Sequence, residues 1–330
     1  MTITRRAMLA SATTLPFAAA AQPIAGGRSI RLIVPFPPGG AVDISARLIA
    51  DRLPSVLGNN VVVENRSGAG GLVGSEAVAK SAPDGTTLGL LGVSVFCAYP
   101  FLYSRLPFDP ARDFTPISQI TTGTVLCVVN AETAARNGWT DFRALIAWSK
   151  AHPEQVKMGS SGNGTTSHFV VSSINDLAQA RILHVPYRGG GPAINDLLAG
   201  TIDMMFDVMP ALMPHVRSGK FRALAVGSAK RLPILPDVPG MSEFGDLGLA
   251  DMDVQSWSAI TGPAGIPEAV VNRLHAAIVA VGRDPDFGAK LAPTGYDPVV
   301  SESPAALRAQ IAQDTPRWKA LVEASGAKLD

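Results

Sequence analysis

The sequence is short of several things that would point to particular chemistries. Two cysteines in 330 residues cannot build a zinc framework or a disulfide-dense scaffold. Neither sign of charge is in excess, with 28 Lys+Arg against 27 Asp+Glu. Without a basic block, a nucleic-acid partner has no electrostatic support. No uninterrupted apolar run reaches 18 residues, so the mature chain is not expected to span a membrane. The motifs G-x-S-x-G, H-E-x-x-H and C-x-x-C are missing, and the histidines at 152, 168, 184, 215 and 275 show no metal-ligand spacing. No cofactor and no metal are expected. What the chain does have is apolar material, at 47% hydrophobic residues. That excludes disorder and is enough for a sizeable core, and the length fits two lobes better than one. Its 32 glycines and 26 prolines imply many tight turns and functional loops.

Residues 1–21 run basic, then apolar, then small, with Arg5 and Arg6 ahead of an apolar stretch from Ala7 to Ala21. This order predicts an export signal cleaved near Ala21 and a periplasmic mature protein. The string Thr4-Arg5-Arg6-Ala7-Met8-Leu9 fits a twin-arginine signal, although paired arginines also serve an ordinary basic leader. In an oxidising compartment Cys97 and Cys127 either pair or stay as separate buried thiols. Both lie in apolar strings, and sequence does not supply the geometry that would decide.

From residue 29 the pattern is strand, loop, helix, repeated. Ile30–Val34 is a short apolar run, after which Val42, Ala46, Ile49 and Leu53 recur at helical spacing. Strands follow at 61–63 and 87–91, and a helix at 72–80. Two apolar runs within 117–130 are separated by Thr121-Thr122-Gly123-Thr124. The rhythm then restarts: helix 139–150, strand 156–159, helix 167–180, strand 182–185, helix 193–198, strands 202–206 and 221–226. After a proline-rich stretch come a strand at 254–261 and helices at 268–281 and 303–324, with Pro316 expected to kink the last. Such alternation predicts an α/β fold with mainly parallel sheets and helices on both faces. The expected lobes are 22–125 with 229–330, and 126–228, with a ligand cleft between them; a return crossover near Asp251 is the alternative.

In open α/β sheets ligands sit beyond the carboxyl ends of the strands. The loops there are rich in glycine: Pro35–Gly40 with Asp43, Asn65–Gly71, Gly92–Ser94, Gly159–Thr165, Tyr187–Gly191, and Asp207–Met209. Glycine admits a ligand close to the backbone, and helix N-termini offer unpaired N–H groups to anions. Several such starts facing one cleft make an anion site with little need for Lys or Arg. Single residues stay ambiguous at this level. Asp43 binds ligand or caps its helix, and Asp207 reaches the cleft or forms a turn. Phe36 and Tyr187 wall the ligand or pack inside. Arg66 and Arg188 support the anion or are solvated. His168 lines the cleft or is a satisfied structural histidine, and Trp257 is read as core. Gly68–Gly74 imitates a dinucleotide fingerprint, but Val73 stands where the last glycine belongs.

These loops together resemble a known family. Val34-Pro-Phe-Pro-Pro-Gly-Gly40 with Asp43, Glu64-Asn-Arg-Ser-Gly-Ala-Gly-Gly71, Ser160-Ser-Gly-Asn-Gly-Thr-Thr-Ser-His168, Val185-Pro-Tyr-Arg-Gly-Gly190, Asp203-Met-Met-Phe-Asp207 and Gly262-Pro-Ala-Gly265 look like the motifs of the Bug receptors. These are the extracytoplasmic solute receptors of the tripartite tricarboxylate transporter type. The resemblance covers the mature chain in order. It implies a two-lobed type II periplasmic binding protein fold that closes on a small carboxylate. The ligand would be held mainly by backbone amides, hydroxyls and waters. The matching positions in the first lobe are Phe36, Gly39, Gly40, Asp43, Gly68 and Ala69, to which the loop reading adds Ser94. In the second lobe they are Ser160, Ser161, Thr165, Tyr187, Arg188, Gly189 and Asp207, with His168 as the ambiguous neighbour. The expected partners are the membrane subunits of a tripartite tricarboxylate-type transporter, or a sensor in their place, with the receptor itself a monomer. The rival enzyme reading is a serine hydrolase that pairs Ser160 or Ser161 with His168, but no orienting acid stands at a motif spacing.

Overall fold

A computed structural model describes residues 24–329, so the predicted leader lies outside the described residues. The first half of the fold is built from β1 (Ile30–Val34), α1 (Ala41–Leu57), β2 (Val61–Asn65), α2 (Leu72–Ala79) and β3 (Thr87–Gly92). Short helices α3 (Val93–Cys97) and α4 (Tyr99–Leu102) lead into β4 (Phe114–Asn130). The second half holds α5 (Ala131–Asn137), α6 (Phe142–Ala151), β5 (Val156–Ser160), α7 (Thr166–Leu177), β6 (Ile182–Pro186), α8 (Gly190–Leu198), β7 (Met204–Val208), α9 (Met213–Arg217) and β8 (Phe221–Val226). The chain ends with β9 (Gln255–Pro263), α10 (Glu268–Arg283), α11 (Pro285–Leu291), β10 (Tyr296–Pro298) and α12 (Pro304–Ser325).

The strands run in the order β2-β1-β3-β9-β4-β7-β5-β6, with β8 and β10 also paired to β4. Pairing is parallel where the sequence alternates strand and helix, β1 with β2 and β3, and β5 with β6 and β7. The centre is antiparallel, because β4 and β9 are long strands that enter from the opposite direction. β4 serves both halves. Its residues Phe114–Thr124 pair with β9, and Val125–Val129 pair with β7. The break expected at Thr121–Thr124 does not occur: threonine is β-branched and suits a strand, and Thr121 to Gly123 pair with β10.

The two halves have separate cores. Ile30, Leu32, Val34, Ile49 and Leu53 pack with Leu274, Ile278 and Phe287 in the first. Each such side chain contributes about 1.5–3 kcal/mol by leaving water. Trp139, Phe142, Val156, Ile174 and Phe206 form the second, and Met241, Phe244, Leu249 and Met252 from the segment before β9 pack there too. The expected helix at 139–150 is α6, which starts at Phe142 because Asp141 caps it by accepting from the Ala144 N–H; an unexpected helix, α5, precedes it and is ended by Gly138 at φ 72°. Pro316 does not end α12, which runs on to Ser325. Cys97 and Cys127 are both buried and free. They sit in different clusters, Cys97 with Phe96 and Trp257 and Cys127 with Val129 and Phe206, so the pairing alternative fails on position.

Candidate functional site

A cavity opens between the halves at the carboxyl ends of β1, β3, β5 and β7. It is lined by Phe36, Gly40–Val42, Gly92–Val95 and Tyr99 from one side, and by Ser161, Thr165, Thr166, Gly190, Asp207 and Val208 from the other, with Ser256, Ser258 and Tyr296 at its floor. It encloses about 70 Å³ open to water-sized groups, the space of about five waters at ~10–15 Å³ each. No Lys, Arg or His is among the lining residues.

Three helices long enough to carry a dipole begin at this cavity, α1 after Gly40, α7 after Thr165 and α8 after Gly189, and none has a side-chain cap. Of the helices that begin elsewhere, α5, α6, α11 and α12 are capped by Asn130, Asp141, Asp284 and Ser303, whereas α2 and α10 start without a side-chain cap. Uncapped starts leave backbone N–H groups and partial positive charge facing the cavity, which is the environment an anion needs. Thr165 does not cap α7 because its hydroxyl donates to the Gly162 carbonyl at 2.7 Å. Ser94 and Ser258 line the cavity without a protein hydrogen bond from their hydroxyls among the described residues, leaving both hydroxyls available.

Asp207 is the single ionised-type side chain of the lining. It is the penultimate residue of β7 rather than a turn residue beyond the strand end, because β7 starts two residues later than expected. Its Oδ1 accepts the Val208 N–H at 2.7 Å and its Oδ2 accepts the Ser161 hydroxyl. Burial pushes the Asp207 carboxyl up to about 6, against the lowering effect of those two donors. Burial also raises Tyr296, whose hydroxyl faces Ser256 and Asp207.

The structure sorts the expected site residues. Phe36, Gly40, Ser94, Ser161, Thr165 and Asp207 line the cavity. Gly39 and Asp43 lie behind it. Asp43 is buried and accepts from the Gly39 N–H, from Arg47 Nε and from Asn65 Nδ2, each at 2.9 Å, so it fastens the β1–α1 loop to β2. Burial alone would raise its carboxyl, but Arg47 and the other donors outweigh that and hold it below the usual range.

Gly68 and Ala69 also stand off the lining. The Gly68 carbonyl accepts the Gly71 N–H and the Ala69 carbonyl accepts the Tyr103 hydroxyl. Tyr187 donates to Asp196 at 2.6 Å instead of walling the cavity, and Arg188 is exposed. Gly189 meets the other half: a Cβ there would lie 2.4 Å from Pro37 Cδ. Gly70 makes the same kind of approach, with a would-be Cβ 2.2 Å from the Asn163 carbonyl oxygen. The glycines at these two points allow the halves to touch.

Ser160 and His168 are not partners. Ser160 Oγ lies 2.6 Å from His184 Nε2, and His168 Nδ1 accepts the Gly164 N–H at 3.2 Å. The two imidazoles stack at 4.7 Å. Burial, then the neighbouring His168, depresses His184 to about 4, and burial lowers His168 as well. This is a neutral structural pair beneath the loop, and Ser161, which does line the cavity, donates to Asp207 instead of pairing with either imidazole.

Sequence reasoning missed Tyr296, Ser256 and Ser258. The two serines had a signal, since they alternate with Trp257 on a strand and so face the opposite side from it. Tyr296 had none of its own, because β10 has only three residues. Gly123 is its imprint, as a Cβ at that position would fall 2.2 Å from the Tyr296 ring.

Comparison with known proteins adds independent findings. Residues 45–327 match the profile described as tripartite tricarboxylate transporter family receptor. The chain is 36% identical over 303 residues to Protein BugT of Bordetella pertussis, covering 92% of this chain and 90% of that one. Among solved structures it is similar to the periplasmic binding protein BugD, with TM-score 0.84, 31% identity, and 91% and 98% of the two chains covered. It is similar to R. palustris Rpa4515 with adipate, with TM-score 0.85, 31% identity, and 92% and 99% coverage. MatC (Rpa3494) from Rhodopseudomonas palustris with bound malate gives TM-score 0.81, 29% identity, and 89% and 99% coverage.

Proposed function

The chain belongs to the tripartite tricarboxylate transporter receptor family, a family of periplasmic solute-binding proteins rather than enzymes, and from this premise we propose that it captures a small carboxylate in the cleft and presents it to membrane transporter subunits. The observation that carries the reading is the convergence of the uncapped starts of α1, α7 and α8 on a cavity with no Lys or Arg in its lining. Backbone dipoles attract an anion without fixing it by a full opposite charge, which suits a receptor that must release what it binds. The structural neighbours solved with adipate and malate support this ligand class.

The ligand groups we assign are the N–H groups at the starts of α1, α7 and α8 and the hydroxyls of Ser94, Ser161 and Ser258. Residues 1–21 are the export signal on this reading. Among the described residues the lobes we assign are 24–124 with 255–329, and 125–254. On this assignment the return crossover falls just before β9, at the alternative near Asp251 and not at residue 229; the packing of Met241 to Met252 in the second core supports it. Binding shifts an open population to the closed one, and the closed form docks.

Calorimetric titration of the ligand-stripped protein with a panel that includes adipate, malate, shorter diacids and aromatic acids tests the ligand class. Micromolar or tighter binding to at least one member is expected, and no binding across the panel overturns the reading. Pull-down of membrane proteins with and without the bound acid then separates a transporter partner from a sensor.

A further inference from the structure

We propose that Asp207 is a specificity-determining residue that makes the cleft take up its carboxylate together with one proton. This rests on the reading that the cleft binds a carboxylate.

The cavity built for an anion contains one acid and no cation. Asp207 is 5% exposed, and both of its oxygens are engaged, Oδ1 by the Val208 N–H and Oδ2 by the Ser161 hydroxyl. Ser161 itself lines the cavity, so the state of Asp207 decides what Ser161 can offer. With Asp207 ionised, the Ser161 proton is committed to Oδ2, and the serine presents only lone pairs to the cavity. That face repels a carboxylate twice, through the Asp207 charge and through an acceptor meeting an acceptor. With Asp207 protonated, the bond reverses. The acid donates to Ser161 Oγ, and the serine proton is free to point at the guest. Protonation thus converts one wall from acceptor to donor and removes the one negative charge.

No group around Asp207 can do this in its place. The titratable side chains that share the cavity are Tyr296 on β10 and Tyr99 on α4. Burial raises both, so both stay neutral, and the Tyr99 hydroxyl is committed to the Gly70 carbonyl. From β4 the residue opposite is Leu126, and from α8 it is Gly190, whose would-be Cβ lies 3.5 Å from Oδ2. β5 ends at Ser160, and Ser161 follows it. The His168–His184 pair on α7 and β6 is held neutral behind Ser160. The charged pair Asp43–Arg47 is tied up in the β1–α1 corner. In the empty protein the Asp207 carboxyl titrates at about 6, so at neutral pH it is mostly ionised. An anion placed beside it raises it further and draws a proton from solvent.

The test is calorimetry with adipate and malate as probes between pH 6.5 and 8, where ordinary carboxylic acids are ionised. Titrations in buffers of different ionisation enthalpy count the protons. Wild type is expected to take up close to one proton per ligand at pH 7.5, and to lose about tenfold in affinity from pH 7 to pH 8. Asp207→Asn keeps an acceptor for the Val208 N–H and supplies a donor to Ser161. It should bind with no proton uptake, with affinity flat across the range and above wild type at pH 8.

Binding by wild type with no proton uptake and no pH dependence overturns the inference while leaving the receptor reading intact. The same holds if D207N takes up as much as wild type. If only acids bearing an ammonium bind, with no uptake, Asp207 is a counter-charge and the inference also fails. Absence of binding by any acid at any pH overturns the receptor reading and this inference together. The wild-type proton count decides the matter even if D207N does not fold.

Discussion

Asp207 should cost the fold stability, and the cost can be worked out. An ordinary aspartate titrates at 3.8, and burial takes Asp207 to about 6. At about 1.4 kcal/mol per unit, the ionised carboxyl destabilises the folded chain by ~3 kcal/mol once pH exceeds 6. The sign follows from proton binding. Between 3.8 and about 6 the folded chain holds a proton that the unfolded chain has released, so stability falls as pH rises through that window and is level above it. The asparagine of the D207N variant would not titrate. Its amide can accept from the Val208 N–H and donate to Ser161 Oγ, so no buried polar atom is orphaned.

Urea unfolding of ligand-free wild type and D207N at pH 4.5 and 7.5 measures the difference. D207N is expected to be more stable by ~1 kcal/mol at pH 4.5 and by ~3 kcal/mol at pH 7.5. Taking the difference removes other titrations common to both proteins, including that of His184. A gain that does not grow with pH, or a loss of stability at pH 7.5, refutes the claim that Asp207 is held in an unfavourable ionised state.

Gly190→Ala should move stability and affinity in opposite directions. A methyl at the start of α8 favours the helix by up to ~1 kcal/mol, yet its Cβ would sit 3.2 Å from Ser161 Oγ and 3.5 Å from Asp207 Oδ2. Calorimetry should show roughly tenfold weaker carboxylate binding, the scale of mild overpacking, and unfolding should show an unchanged or higher midpoint. Ellman titration should find almost no reactive thiol in the native protein and both thiols after denaturation, since burial keeps Cys97 up at about 12 and pushes Cys127 up as well. The depressed His184 contributes stability that is present above pH 6.5 and lost as pH falls towards 4. His184→Gln should therefore flatten the acid limb of a pH–stability curve measured by circular dichroism.

The parts of the fold legible in the sequence are those with a local cause. Ile30–Val34 and Phe221–Val226 are mainly apolar runs bounded by polar, glycine or proline residues, and both are strands with those limits. The βα loops were found because glycine clusters between a strand and a helix have few other uses. What was not legible depends on contacts distant in sequence. The three residues of β10 become a strand only because β4 supplies their partners more than 170 positions earlier. Gly68 and Ala69 look the same in sequence as Gly40, but their loop is held against Tyr99 and Tyr103, whose hydroxyls donate to the Gly70 and Ala69 carbonyls, and they stand off the cavity. Asp43 and Asp207 were equally ambiguous acids. Arg47, one turn along the same helix, marks Asp43 as a fastener, whereas Asp207 has no such cation and is left to the cleft.

The site is therefore made of groups whose partners are missing from the chain itself. A side-chain cap on a helix is worth about 1 kcal/mol, and α1, α7 and α8, which face the cavity together, go without one. The buried acid at Asp207 adds its own unfavourable charge. These deficits lie on both halves, so a guest that satisfies only one half leaves the other uncorrected. Gly70 closely approaches Asn163, and Gly189 closely approaches Pro37; on the proposed reading this is the arrangement that lets one small anion meet donors from both halves. On the proposed reading affinity and closure share one cause, because the anion supplies what the helix starts lack and the proton that comes with it removes the Asp207 charge. A Lys or Arg in the lining would neutralise Asp207 before any ligand arrived, but it could not accept from the free N–H groups and would be repelled by the partial positive charge at those three helix starts. Only an anion answers the helix starts, and it meets Asp207 as a like charge unless a proton comes with it.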